Sequence, residues 1–279
     1  MIEVFVTKSN GELEPFDIGK LKQSLLNSNA SIIVADEITT KVTKRIKKGD
    51  STEKIYKSAF ELLKTREKKT AMRYSLKRSL LNLGPTGFPF EQFIAKLFEA
   101  KGYDVQTGVM LMGKCIAHEV DNVISDEDDL ILAEVKFHNS LSIKTDTKVA
   151  LYVKARYDDL KQMEVSVKGV KRLPTRGIII TNTKFTNNAR KYARCVGLGM
   201  ISWDYPEKGN LYDLIEETGL QPLTSMTSLS KREKEMLIEN GVIDCADLDK
   251  SRQPLEEIGM SNSKINKVLK EVHEVCSVQ

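Results

Sequence analysis

Residues 115–138 read Cys-Ile-Ala-His-Glu-Val-Asp-Asn-Val-Ile-Ser-Asp-Glu-Asp-Asp-Leu-Ile-Leu-Ala-Glu-Val-Lys-Phe-His. The pattern predicts two strands joined by an acidic hairpin turn, Ser125 to Asp129. Asp121 falls near the middle of the first strand, and Glu134 and Lys136 fall on the second. Successive side chains on a strand point to opposite faces, so Glu134 and Lys136 share one. Ile131, Leu132, Ala133, Val135 and Phe137 make the second strand largely buried. A carboxylate and an ammonium on such a strand are costly unless they are paired or bind a metal. Asp and Glu oxygens suit Mg²⁺, which takes one or two carboxylates together with phosphate and water.

Working outward, Phe90-Glu91-Gln92-Phe93 opens an amphipathic helix that Gly102 ends. A helix over Thr147 to Met163, a strand over Gly177 to Asn182, a helix over Phe185 to Val196 and a short strand over 199–203 follow the hairpin. Alternating strands and helices favour an α/β domain with a mixed central sheet. Asp121 followed by Glu134-x-Lys136, with Glu91 upstream, resembles the PD-(D/E)xK nuclease superfamily, and the order of elements is similar to its Mrr-like restriction endonuclease branch. Val120 stands where the superfamily's name has Pro.

The resemblance implies a DNA endonuclease hydrolysing phosphodiester bonds in double-stranded DNA. Asp121 and Glu134 would hold Mg²⁺ or Mn²⁺, Lys136 would assist the attacking water, and Glu91 would support the site. Arg156 and Lys184 are candidate contacts to the DNA backbone. His118 and His138 flank the acidic cluster and read as supporting or surface residues rather than ligands.

Upstream, residues 1–83 predict a small hairpin on a helical bundle. Strand-like runs over residues 4–8 and 12–16 flank Asn10-Gly11, a strong two-residue turn signal. Asp17 and Ser51 or Thr52 are candidate helix caps. Further helices are expected over about 35–47 and 70–83. The stretch Val6-Thr7-Lys8, Gly11, Glu14-Pro15-Phe16-Asp17 and Lys20-Leu21, with Ala71, Tyr74 and Arg78 in the closing helix, resembles the ATP-cone, a nucleotide-sensing module. That resemblance implies ATP or dATP as a regulatory ligand, with Lys8 and Lys20 on phosphates and Gly11, Glu14 and Thr52 completing the site. Ser9 stands where the family often has a second basic residue. No GxxxxGK[ST] loop is present, so this module is expected to sense nucleotide without hydrolysing it.

Residues 84–90, Gly-Pro-Thr-Gly-Phe-Pro-Phe, read as a short stiff linker. The expected nuclease domain therefore spans 91–217, and residues 222–279 are expected to form a small helical domain behind a linker at 217–227. In that domain Ile258-Gly259-Met260-Ser261 before a helix resembles the helix-hairpin-helix motif. Gly259, Ser261 and Lys264 would then meet DNA phosphates without reading sequence.

Charge is uneven. Residues 1–83 hold 17 Lys and Arg against 10 Asp and Glu, a net +7, whereas 91–217 is −1 and 218–279 is −2. The basic excess in the first segment suits a polyanionic ligand. No apolar run reaches the roughly 18 residues of a membrane span, and the N-terminus lacks a signal-peptide pattern, so a cytoplasmic protein without membrane partners is expected. Cys115, Cys195, Cys245 and Cys276 are widely spaced and read as reduced thiols. The composite expectation is a metal-dependent restriction or defence endonuclease modulated by ATP. A junction-resolving or repair nuclease, or an inactive nucleotide-responsive DNA-binding regulator, stands as the alternative. A homodimer or higher homo-oligomer is compatible with each.

Overall fold

The computed structural model describes residues 4–8 and 11–276. The start of the predicted first strand, Met1–Glu3, lies outside the described residues, as do Ser9, Asn10 of the predicted turn, and 277–279. The chain forms two compact units: one runs to Ser79 and includes Ser225–Thr227, and the other comprises Leu80–Thr224 and Ser228 onward.

The first unit begins with strands β1 (Phe5–Thr7) and β2 (Leu13–Pro15), antiparallel with Val6 opposite Glu14. Helices α1 (Ile18–Leu26), α2 (Ile32–Thr43) and α3 (Thr52–Arg66) follow, then α4 (Lys68–Leu80). The caps explain the starts: Asp17, Ser31 and Ser51 each accept from an amide in the first turn. Val6 on β1 packs with Leu21, Leu25, Ile38, Val42 and Leu63, so the hairpin is pinned through one apolar side chain to the helices.

In the second unit α5 (Phe88–Ala100) precedes β3 (Asp104–Met112), β4 (Ala117–Ser125) and β5 (Leu130–Lys136). There follow β6 (Lys144–Thr145), α6 (Thr147–Leu160), the hairpin β7 (Val165–Val167) and β8 (Val170–Arg172), and β9 (Arg176–Thr181). Then come β10 (Lys184–Phe185), α7 (Asn187–Val196), β11 (Gly199–Ile201) and α8 (Leu211–Thr218). The central sheet has five strands in the order β11-β9-β5-β4-β3. β3, β4 and β5 run antiparallel in turn, and β5, β9 and β11 run parallel, so the sheet is mixed, as expected.

Parity on β5 sets the layers. Leu132 joins Leu160 of α6 in one apolar cluster, and Ile179, the register partner of Glu134, packs with Val153 of α6 and Ala189 and Ala193 of α7. The opposite face meets α5, where Phe90 lies against Phe137 with ring centroids 5.9 Å apart. The α5 start falls inside the predicted linker, because Phe88-Pro89 suits the first turn of a helix. Glycine is required where strands crowd: a Cβ on Gly199 would come within 2.5 Å of the Ile178 side chain.

Several elements went unpredicted, among them the short parallel pair β6 and β10. The β7–β8 hairpin turns on Lys168 and Gly169, both with positive φ, in the manner of tight two-residue hairpins. Helix α8 starts from an Asn210–Asp213 capping box and stops at left-handed Gly219. The segment read as a linker at 217–227 is also not extended, since Leu223 and Met226 are buried.

Helices α9 (Lys231–Glu239), α10 (Cys245–Lys250), α11 (Gln253–Glu257) and α12 (Asn262–Val275) form the tail, within the same unit as the sheet. Lys96 of α5 pairs with Asp247 and, at 3.2 Å, with the buried Asp244. One expectation is overturned: Cys245 and Cys276 are joined in a disulfide, and only Cys115 and Cys195 are free thiols among the described residues. The spacing of 31 residues carried no signal, because α10 and α12 pack together and bring the two Cα atoms to 6.0 Å.

Closing a loop of that length stabilises a fold by about 2–4 kcal/mol. Cys276→Ser is therefore expected to lower the unfolding midpoint of the oxidised protein, and reductant should lower wild type equally. Identical denaturant curves with and without reductant would show that the bond contributes nothing.

Candidate active site

β4 and β5 pair regularly from Ser125–Leu130 to Asn122–Ala133. Beyond that point Asp121 leaves the ladder, and its Oδ2 accepts the Val135 amide at 2.7 Å. The β3 register has Thr107 facing Asn122 and Val109 facing Val120, which leaves Gly108 across from Asp121. Gly108 has φ +61°, a conformation that most residues adopt only under strain. Val120 and Val123 both join the α6-side cluster although strict alternation would separate them. The break in pleating is thus centred on Asp121 and re-aims its carboxylate.

Glu134 is buried on β5. Its Oε1 accepts from Lys136 Nζ and its Oε2 from Arg156 Nη1, each at 2.6 Å. Lys136 sits two residues on, at the exposed end of the strand, and so shares the face of Glu134. Arg156 is mostly buried on α6, three residues after Val153 and four before Leu160. Sequence reading placed Arg156 on DNA; the structure places it on Glu134. The helical period held the signal, because Arg156 lies on the stripe whose other members are core residues.

Glu91 approaches from the first turn of α5. Asn122, fully buried, donates to the Glu91 backbone carbonyl at 3.2 Å and ties that turn to β4. Burial, then the charge of Asp121, pushes the Glu91 carboxyl up to about 7. Burial and Glu134 likewise raise Asp121 above the usual carboxylate range, against the Val135 hydrogen bond and Lys136. Three carboxyl groups thus repel one another around Lys136, and a cation placed among them would relieve that repulsion. Among the described residues no three carboxylate, imidazole or thiol side chains form a ready-made metal cage. Mg²⁺ does not need one, since phosphate and water complete its shell. Asp121 fits such an ion, because the Val135 amide occupies only its Oδ2, whereas each Glu134 oxygen already faces a cation that an incoming ion would have to share or displace.

The two histidines are engaged elsewhere. His118 Nε2 lies 2.8 Å from Asp159, and this bond above all holds the Asp159 carboxyl down to about 2. His138 is clamped: its amide donates to Asn182 Oδ1, its carbonyl accepts from Asn182 Nδ2, and its Nε2 lies 2.9 Å from Thr145 Oγ1. Burial, then Lys136, lowers its pKa, which favours neutral imidazole. Lys184 pairs with Asp204 at 2.6 Å. In the tail, Gly259 takes φ +74°, the Ser261 hydroxyl caps α12, and Lys264 lies 3.4 Å from Glu233.

In the first unit Glu14 lies 3.2 Å from Lys8 and 3.7 Å from Lys20, so the three predicted residues converge. The hydrogen bond that Lys8 donates to the Glu14 carboxylate raises the Lys8 pKa. Gly11 has φ +85° and donates to the Lys8 carbonyl, closing the hairpin end. A bridge between Thr7 and Ser51 brings the α3 N-terminus, and with it Thr52, beside β1. Tyr56 and Tyr74 stack at 5.1 Å, with Arg78 3.7 Å above the Tyr56 ring.

Three stretches of the chain match known families. Residues 4–82 match the ATP cone domain, 85–207 a restriction endonuclease domain, and 222–276 the AF1548-like C-terminal domain. An uncharacterized protein of Archaeoglobus fulgidus is 34% identical over 183 residues, which are 65% of this chain and 99% of that protein. The crystal structure of AF1548, a protein of unknown function, has a TM-score of 0.55 at 33% identity, over 68% of this chain and 98% of that one. MspJI restriction endonuclease, solved with a 27-mer oligonucleotide, has a TM-score of 0.31 at 15% identity, over 53% of this chain and 35% of that one. With nearly the whole length of the archaeal relative covered at that identity, the chain belongs to the AF1548-like family, and carries a restriction endonuclease domain together with an ATP cone domain.

Proposed function

We propose that this protein is a Mg²⁺- or Mn²⁺-dependent DNA endonuclease of restriction or defence type, whose cutting is modulated by ATP or dATP at the cone. The observation that carries the reading is Asp121, lifted out of its strand ladder to stand with Glu134, Glu91 and Lys136. A structural hairpin has no need of three mutually repelling carboxyl groups at one strand end. Asp121 and Glu134 would hold the ion, which when bound neutralises phosphate charge and lowers the pKa of water. Lys136 would orient the water and stabilise charge developing at phosphorus. Arg156 would hold the Glu134 carboxylate in its orientation. The tail, through Gly259, Ser261 and Lys264, would add backbone contacts to DNA.

A second reading, a nucleotide-responsive DNA-binding protein without hydrolysis, draws on one observation: Glu134 is already matched by two cations. Cleavage assays separate the two readings. Asp121→Asn should lower the rate of duplex cleavage by about 100-fold or more. The same change removes a buried, repelled charge, so the metal-free variant should melt at or above the wild-type temperature. Wild-type cutting by the variant would remove Asp121 from the site, and a wild type inert with both metals would favour the non-hydrolytic reading.

ATP is expected to bind the cone and be released unchanged. Lys8→Ala combined with Lys20→Ala should abolish calorimetric heat with ATP or dATP and abolish any nucleotide effect on cutting, because both proposed phosphate partners are lost. Coupling must be reciprocal: the factor by which ATP changes DNA affinity is the factor by which DNA changes ATP affinity. Retained heat in the double variant would place nucleotide elsewhere.

A further inference from the structure

A second cleft lies at the carboxyl ends of the parallel strands. Lys144, Lys184, Asn187, Arg190, Ser202 and Tyr205 border a cavity of about 360 Å³. Lys144 and Lys184 are register partners in the parallel β6–β10 pair, so two lysines leave adjacent strand positions and both border the cavity. Arg190 lies 5.4 Å from the centre of the Tyr205 ring. Asp204 also borders the cleft and pairs with Lys184, whereas Lys144 has no carboxylate partner among the described residues. The charges facing the cavity are thus three positive and one negative.

Two backbone features reinforce that sign. The ten-residue α7 begins at the cleft, with Thr186 Oγ1 accepting the Ala189 amide at 3.2 Å. The amides of Asn187 and Asn188 have no intrahelical acceptor, and the positive end of the helix dipole lies with them. Independently, Ser202 is 1% exposed and its Oγ has no hydrogen-bond partner among the described residues. A buried hydroxyl left unmatched is costly unless a ligand completes it. Helix terminus, cations and an unmatched hydroxyl together describe a seat for a phosphate group.

The cleft's place says which phosphate. Lys136 is the register partner of Thr181, and Lys184 lies three residues beyond Thr181 on the same chain segment. His138, two residues past Lys136, is bonded both to Asn182 and to Thr145, the neighbour of Lys144. The strand end that carries the catalytic lysine is therefore stitched to the cleft wall. We propose that this cleft seats a second phosphate of the DNA strand being cut, displaced along the backbone from the scissile one. The proposal rests on the nuclease reading given above.

The test uses the full chain and duplex DNA without divalent cation, so that binding is read without cleavage. Each phosphate contact adds about 0.9 to the slope of log K against log salt. Lys144→Ala and Arg190→Ala should each weaken binding of all sequences alike and flatten that slope by about 0.9. Lys144→Arg should restore it. Duplexes carrying one neutral methylphosphonate at successive positions then locate the contact. Wild type should lose affinity at a position away from the cut, and Lys144→Ala should be indifferent there. Unchanged slopes in a wild type that binds DNA would overturn the proposal and leave the nuclease reading standing. A wild type that neither binds nor cuts DNA would overturn both. Heat with dAMP that disappears in Lys144→Ala, alongside an unchanged DNA slope, would make the cleft a free-nucleotide site and overturn the strand assignment.

Discussion

A buried carboxylate sets the terms for the second unit. Glu134 sits on a central strand flanked by β4 and β9, where ionised oxygens are tolerated only with partners. It has two, one on each oxygen, and they come from different elements: Lys136 from its own strand and Arg156 from α6. Removing either would leave a charge in the core, a loss that for buried pairs reaches about 3–5 kcal/mol. The position of α6 and the course of β5 are thereby tied to one functional group. The same tie explains why Arg156 cannot be replaced by an apolar residue that merely fills its volume.

Much of this was legible beforehand, and the reasons are physical. The hairpin at 115–138 was visible because apolar alternation and a polar turn coincide, and the register follows once Ser125 and Leu130 pair. Glu134 and Lys136 share a face by strand period alone. The helix starts at Asp17 and Ser51 were visible because a capping side chain is a local device. The loss of alternation at Asp121 was not visible, since it arises from the positive φ of Gly108 on another strand. The assignment of Arg156 failed for a related reason: a cation reads the same from sequence whether it meets phosphate or a buried acid. The Cys245–Cys276 bond depends on the packing of two helices, which spacing does not encode.

The cone brings two lysines together around one carboxylate without a glycine-rich phosphate loop. Glu14 lies between Lys8 and Lys20 and keeps two like charges close together. Neither lysine is deeply buried, so their ion pairs are weak ones that an incoming phosphate can replace. Tyr56, Tyr74 and Arg78 form a stacked column that joins α3 to α4. The nearby helix N-terminus of α3 and the two lysines share a sign.

Lys96 has a meaning beyond holding the tail in place. It lies five residues after Glu91 on α5, about 7.5 Å along the axis at 1.5 Å per residue. The helix is therefore a rod with the candidate-site acid Glu91 at one station and an anchored lysine at the next. Asp244 and Asp247 grip that lysine from α10 and its cap, and the Cys245–Cys276 bond clips α10 to α12. Glu91 and the tail's anchor on Lys96 thus share one uninterrupted helix. Where the tail seats is in this way a boundary condition on the helix that carries the Glu91 carboxylate.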